Sequence, residues 1–326
     1  MRLTIRRVLM LGLAVTGVHV DAHAQDFDLQ GHRGTRGLMP ENTLAAFRKA
    51  LEIGVTTLET DLATVGDGTL VLSHDPLLNP DLTRGADGKW LTATGPAIKS
   101  LSLGQLKAYD VGRLNPDSRY AKQWPEQTSV DGERIPTLSE LVALTVSMGK
   151  TQVRFNIETK LSPHRPQDSI GPAAFATRVI DAVRKEGIAA RTTVQSFDWR
   201  SLVALKRGAP EIHTGCLTIE SPNMNTVLPG PDGASPWHAG LKLFEHGGSL
   251  PRLVKEAGCG TWSMFWRNLT PELLKEARAL ELKVVPWTVN DRGDMARLMD
   301  MGVDGLITDY PDRLREVMTG RGMKLP

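Results

Sequence analysis

Carboxylates, imidazoles and cations recur in this sequence at spacings that a β-strand turns into shared faces. Glu59 and Asp61 lie two apart in Leu58-Glu59-Thr60-Asp61-Leu62, and Asn156, Glu158 and Lys160 alternate with Ile157 and Thr159. Strand side chains point to opposite faces in turn, so Glu59 and Asp61 share one face while Leu58 and Leu62 take the other; Asn156, Glu158 and Lys160 share a face in the same way. Acids gathered on a buried face repel and are costly to desolvate unless a cation or a proton sits between them. With no Cys or clustered His nearby, Glu59, Asp61 and Glu158 form an oxygen-only set suited to one divalent cation, Ca²⁺ or Mg²⁺, rather than Zn²⁺. A salt-bridged network with Arg33 and Lys160 is the competing reading. Gly31-His32-Arg33-Gly34 adds an imidazole and a guanidinium, and His74-Asp75 a second imidazole. An acid cluster for a metal, Arg33 and Lys160 for a phosphate, and His32 and His74 for proton transfer are the parts needed to cleave a phosphate ester.

These residues must be brought together by the elements that carry them. From Asp28 onward, β-rich runs alternate with helical ones, the pattern of an α/β fold on parallel strands. Strands are expected at 29–33, 57–63, 153–160, 192–197, 213–218, 261–265, 284–289 and 305–308, each followed by a helical stretch. Eight such units match a closed eight-stranded β/α barrel of the TIM type better than an open sheet, and no Gly-x-Gly-x-x-Gly turn follows the first strand. Barrel enzymes build their sites at the C-terminal ends of strands, where His32, Glu59, Asp61, Glu158, Lys160 and Gln195 fall. Thr69 to His74 reads as a hairpin folding back over the second strand after Gly66-Asp67-Gly68. An irregular insertion, 77–136, follows the second strand and reads as a cap or wall over the site, and a second lies at 221–248.

Composition narrows the function classes. The 326 residues include 39 Lys+Arg against 37 Asp+Glu, and only 2 Cys. Arg2, Arg6 and Arg7 precede an apolar run from Val8 to Val18 that ends near Ala22-His23-Ala24, the pattern of a secretory signal peptide over 1–24. The run is shorter than the roughly 20 apolar residues a membrane-spanning helix needs. Cleavage after Ala24 removes three of the 39 cations and one acid, Asp21, leaving 36 against 36. A balanced mature chain, 25–326 as one barrel domain, argues against a general grip on nucleic acid or an anionic membrane; no stable membrane anchor is expected, because no later stretch reaches spanning length and no Cys sits at the cleavage site, and the leader predicts an exported protein, periplasmic or secreted. Arg6-Arg7 fits a twin-arginine signal only loosely. For Cys216 and Cys259 two readings stay open: a disulfide in an oxidising compartment, or two small buried side chains.

Taken in order, the motifs resemble those of the glycerophosphodiester phosphodiesterases. They are Gly31-His32-Arg33-Gly34, Pro40-Glu41-Asn42-Thr43, Leu58-Glu59-Thr60-Asp61-Leu62, His74-Asp75, Tyr109-Asp110-Val111-Gly112, Ile135-Pro136-Thr137-Leu138, Asn156-Ile157-Glu158-Thr159-Lys160, Gln195-Ser196-Phe197, Trp287-Thr288-Val289-Asn290 and Asp304-Gly305-Leu306-Ile307-Thr308-Asp309. The likeness spans about 31–312. It implies a β/α barrel that hydrolyses glycerophosphodiesters to glycerol 3-phosphate and an alcohol with a divalent cation. His32 and His74 match the acid/base pair, Glu59, Asp61 and Glu158 the metal ligands, and Arg33 and Lys160 the phosphate contacts. The turn Thr64 to Gly68 is one residue longer than the usual pattern, and Thr159 replaces a commoner aliphatic residue. The competing functions are phospholipase D-like cleavage of a lysophospholipid headgroup on the same barrel and phosphate-ester binding without catalysis. Gln195 is read as a substrate contact or a structural hydrogen bond. Trp287, Trp266 and Phe244 are read as walls of the alcohol pocket or as core; Asn42 and Thr43 as ordinary helix caps; Asp309 as a partner of Arg33 or a direct participant. His164 and Arg165 receive no role. A small, wet alcohol pocket is expected, without the amphipathic surface element that a lipid-aggregate substrate calls for.

Overall fold

The computed structural model of the chain describes residues 27–326; the leader expected at 1–24 lies outside the described residues. Eight parallel strands form a nearly closed barrel: β1 (Asp28–Gly31), β2 (Thr57–Thr64), β4 (Arg154–Thr159), β5 (Thr192–Ser196), β6 (His213–Thr218), β7 (Thr261–Met264), β8 (Lys283–Val284) and β9 (Gly305–Thr308). The ladder runs β8-β7-β6-β5-β4-β2-β1-β9. The expected strand at 284–289 is shorter as a regular element, because Pro286 has no N–H for a ladder. The chain there still closes the barrel: Asp304 N–H donates to Val284, Ile307 N–H to Pro286 and Val289 N–H to Ile307, at 2.9–3.0 Å.

Helices cover the outside. In α4 (Pro172–Lys185), Phe175, Ala176, Val179, Ile180 and Val183 recur at helical spacing and are buried, so this face packs on the sheet. Pro172 opens the helix where its missing N–H costs nothing, and the α3 (Leu138–Ser147) terminus is fixed by a reciprocal cap between Thr137 and Glu140. Leu29, Leu58, Phe155, Val194 and Leu306 from the strands join these helix faces in the main core.

The C-terminal part of β2 runs beyond the barrel and pairs antiparallel with β3 (Leu70–Leu72), Leu62 opposite Leu72 and Thr64 opposite Leu70. This is the expected hairpin. The insertion that follows has its own small core, in which Leu78, Ile98, Leu106 and Ile135 pack on Ala63, Val65 and Val71 of the hairpin. Cys216 on β6 and Cys259 before β7 are buried and joined as a disulfide, their Cα atoms 5.9 Å apart. Among the described residues no helix is long and apolar enough to cross a membrane.

Candidate active site

The barrel mouth opens into a cavity of about 660 Å³ lined by His32, Arg33, Glu59, His74, Glu158, Lys160, Gln195 and Trp287, so every expected site residue except Asp61 reaches its surface. Asp61 lies directly beneath, fully buried. One carboxylate oxygen from each of Glu59, Asp61 and Glu158 lies within 4.8 Å of the others.

The first loop is shaped by backbone geometry. After β1 the chain turns back on itself with Arg33 at φ 50° and Gly34 at φ 81°. A Cβ on Gly34 would meet the Ala46 backbone at 2.7 Å, so the turn presses against α1 (Leu44–Ile53) and only glycine fits. That turn aims the Arg33 N–H at Glu59 Oε2, 2.9 Å away, and sends its guanidinium to Glu41 Oε1 at 2.6 Å and Asp61 Oδ2 at 3.2 Å. Thr43 caps α1 as expected, accepting from Ala46 N–H, but Asn42 does not serve as a cap. Its amide donates to Asp61 Oδ2 at 2.9 Å, because a positive φ of 54° turns the side chain inward.

Each histidine is held by an aspartate. His32 Nδ1 lies 2.7 Å from Asp309 Oδ1, and His74 Nδ1 lies 2.8 Å from Asp75 Oδ1. In each case Nε2 is the nitrogen left for chemistry, and His32 Nε2 lies 3.9 Å from Glu59. Asp309 pairs with His32 and with Arg36, whose Nε is 2.8 Å away, rather than with Arg33. Arg36, Asp75 and Asn290, which donates to Asp309 Oδ2 at 2.7 Å, were not singled out for roles of their own. Each sits within a few residues of a site histidine or at a strand end, which is the signal that could have found them. Despite its longer turn, the hairpin delivers His74 to the same cavity as His32.

Gln195 lines the cavity and also makes hydrogen bonds within the barrel. Its Nε2 donates to Glu59 Oε1 at 3.0 Å, and its Oε1 accepts from Asn156, which also donates to Gln30. Gln30 in turn donates to Asp28 at 2.8 Å. A row of amides thus runs down the barrel axis from Glu59 to its lower end.

Both readings of the acids are present as geometry. Lys160 Nζ lies 2.7 Å from Glu158 Oε1 and 3.6 Å from Asp61 Oδ1. Yet these ion pairs leave acceptors over: Asp61 Oδ1 is buried without a hydrogen-bond partner, and Glu59 contacts no lysine or arginine side chain. Burial, with Asp61 and Glu158 beside it, pushes the Glu59 carboxyl well above the usual carboxylate range. Burial also raises Glu158, while Asp61 is held low, against its own burial, by Arg33 and Lys160. Surplus buried negative charge next to an unpartnered hard oxygen fits a divalent cation better than a completed salt-bridge network. Burial and Arg36 lower His32 to about 4, and the Asp309 contact opposes them only in part.

Beyond these groups the cavity is walled by Leu161, Phe197, Leu217, Ile219, Met224 and Trp237. It is therefore less wet than expected, since Met224 and Trp237 of the second insertion line it. Trp287 lines it, whereas Trp266 lies under Arg267 and Arg297 outside it and Phe244 is 64% exposed. His164 and Arg165, without an expected role, also line it.

A glycerophosphodiester phosphodiesterase of Caldanaerobacter subterraneus subsp. tengcongensis is 29% identical over 287 residues, covering 87% of this chain and 94% of that protein. One from Bacillus subtilis is 28% identical over 293 residues, covering 89% and 85%. A crystal structure of a protein of this type from Silicibacter pomeroyi superimposes with a TM-score of 0.80 at 33% identity, covering 93% of this chain and 96% of that one. An Oleispira antarctica phosphodiesterase, solved with the product sn-glycerol-3-phosphate, shares the fold with a TM-score of 0.63 at 22% identity over 89% of this chain and 96% of its own. The profile of the glycerophosphoryl diester phosphodiesterase family matches residues 32–313, and with the barrel and its mouth as described, the chain belongs to that family of glycerophosphodiester-hydrolysing enzymes.

Proposed function

We propose that the chain hydrolyses glycerophosphodiesters to glycerol 3-phosphate and an alcohol, with His32 and His74 as the proton-transfer pair. The observation that carries this reading is the convergence of two Asp-held imidazoles on one cavity with a buried acidic triad. Glu59, Asp61 and Glu158 are the residues to hold one divalent cation, Ca²⁺ or Mg²⁺, which when bound supplies positive charge against the phosphoryl oxygens. Arg33 and Lys160 contribute fixed cations on the same side and orient the phosphate. One imidazole takes the proton of the attacking water as the new P–O bond forms; if the glycerol hydroxyl attacks first, a cyclic phosphate forms and a water, losing its proton to an imidazole, then opens it to glycerol 3-phosphate. The other gives a proton to the alcohol oxygen as its bond to phosphorus breaks. Asp309 and Asp75 fix the tautomer and aim of each ring, leaving Nε2 toward the substrate.

Export of the chain, with 1–24 as a leader and 25–326 as one barrel domain bearing the 77–136 insertion, belongs to the same proposal. The buried Cys216–Cys259 disulfide supports it, because such bonds persist in oxidising compartments. A second reading, release of a lysophospholipid headgroup, draws support from the apolar cavity wall.

Glycerol 3-phosphate release from a glycerophosphodiester, followed with and without chelator and alongside calorimetric metal titration, tests the proposal. Glu59→Gln, Asp61→Asn and Glu158→Gln are each expected to weaken metal binding and activity together. Parental metal affinity in all three would return the acids to a salt-bridge network and remove the cation from the reaction.

A further inference from the structure

Past the phosphate-facing residues, three aromatic side chains from distant parts of the chain meet in the cavity wall. Phe197 follows β5, Trp287 follows β8, and Trp237 comes from the second insertion. Their rings stand nearly at right angles: Phe197 and Trp287 have centroids 5.4 Å apart at 87°, and Phe197 and Trp237 6.3 Å apart at 74°. His164 adds a fourth ring, 5.5 Å from Trp237 at 69°. The rings hold one another edge to face, and all four line the same cavity.

We propose that this aromatic recess binds the leaving alcohol, and that it selects an alcohol bearing a quaternary ammonium group, such as choline. The inference rests on the phosphodiesterase reading above and names the substrate class of the same cavity. A trimethylammonium group spreads its charge over methyl surfaces that touch ring faces, and it has no N–H to lose hydrogen bonds when it leaves water. A primary ammonium is held by water more strongly, and the carboxylate in this part of the lining, Asp168, is already paired with Arg165. The cations Arg33, Arg36 and Lys160 lie with the carboxylates at the phosphate end. At the aromatic end the arginine is Arg165, a mostly exposed side chain 3.4 Å from Asp168, so its charge is partly offset. A zwitterionic phosphodiester therefore meets cations at its phosphate and ring faces at its ammonium.

The test compares kcat/KM for glycerophosphocholine, glycerophosphoethanolamine and glycerophosphoglycerol in the metal-supplied enzyme. Tetramethylammonium chloride, read against sodium chloride at equal ionic strength, serves as a competitive probe. Its binding is also followed by tryptophan fluorescence, which needs no turnover. The choline ester is expected to be preferred by about tenfold, the scale of a desolvated cation–π contact. Trp237→Leu should bring the ratio of kcat/KM for the choline ester to that for glycerophosphoglycerol close to one and remove the tetramethylammonium effect. Trp237 is largely buried, so Phe197→Leu provides a second variant with the same expectation. Equal turnover of the three esters, with no competition or fluorescence change from tetramethylammonium, overturns the recess and leaves the phosphodiesterase reading standing. Faster turnover of lysophosphatidylcholine than of glycerophosphocholine overturns it too, assigning the wall to an acyl chain. Failure to cleave any glycerophosphodiester, with chelator-insensitive fluorescence unchanged by tetramethylammonium, removes both readings.

Discussion

His238 is fully buried beside the cavity-lining Trp237, stacked on Trp199 with centroids 4.2 Å apart and planes at 20°, and neither ring nitrogen has a partner. Burial lowers its pKa from 6.5 to about 4. The fold therefore keeps this ring neutral in a range where the unfolded chain binds a proton, and stability falls as pH drops from about 6.5 toward 4, then levels off. At about 1.4 kcal/mol per pH unit the gap sets a ceiling of about 3 kcal/mol, of which about 2 kcal/mol is reached by pH 5. His238→Phe keeps a stackable ring and has no proton to bind. Urea unfolding of parent and variant, disulfide intact, at pH 7.5 and pH 5 isolates the effect, because other acid-sensitive groups, His32 included, act in both proteins. The variant should lose about 2 kcal/mol less than the parent on acidification. At pH 7.5 it should be as stable or about 1 kcal/mol more stable, since an unpartnered buried polar ring is removed. Equal losses on acidification would show that His238 has a proton acceptor or a water path, and the reasoning from burial would fail.

Three further outcomes are open to measurement. His32→Ala and His74→Ala should each lower turnover by about 100-fold or more with unchanged circular dichroism, and near-parental rates in either would take that residue out of the reaction. Asn156→Leu should weaken metal affinity by about tenfold through Gln195 and Glu59, with Asn156→Gln partly restoring it; calorimetry showing parental affinity in the leucine variant would make the amide row merely structural. Replacing both Cys216 and Cys259 by Ser opens a loop with a sequence separation of 43, for which chain entropy gives an upper bound of about 4 kcal/mol. An unchanged urea midpoint would mean the pair does not form.

Much of this arrangement is legible in the sequence because strand alternation is a strict code. Glu59, Asp61, Glu158 and Lys160 follow from it directly, and β6 and β9 run over the residues their patterns mark. What the sequence hides are contacts set by unusual backbone or by long closures. Asn42 reads as a helix cap until a positive φ turns it to Asp61, and Asp309 offers no sign that a partner 277 residues away is His32 rather than Arg33. Trp237 and Met224 lie in a stretch without periodicity, so nothing marks them as facing inward. The 284–289 run reads as a uniform strand because hydrophobic pattern does not register the N–H that Pro286 lacks.

The two histidines are held differently: β3, which leads into His74, packs Leu70 and Leu72 into the main core and Val71 into the small one. His32, the three acids and Lys160 stand on strands of the barrel, whereas His74 follows β3, outside the ring of parallel strands, where the hairpin rests on the small core of Leu78, Ile98, Leu106 and Ile135. The position of His74 therefore depends on a second, smaller set of apolar side chains in addition to the main core. Loosening Ile98 or Leu106 is expected to leave most of the large core in place and blur the position of His74, so that, on the proposed roles, rate falls further than the melting temperature. Conversely, the insertion is a part that can be rebuilt to move His74 by fractions of an ångström without renegotiating the barrel.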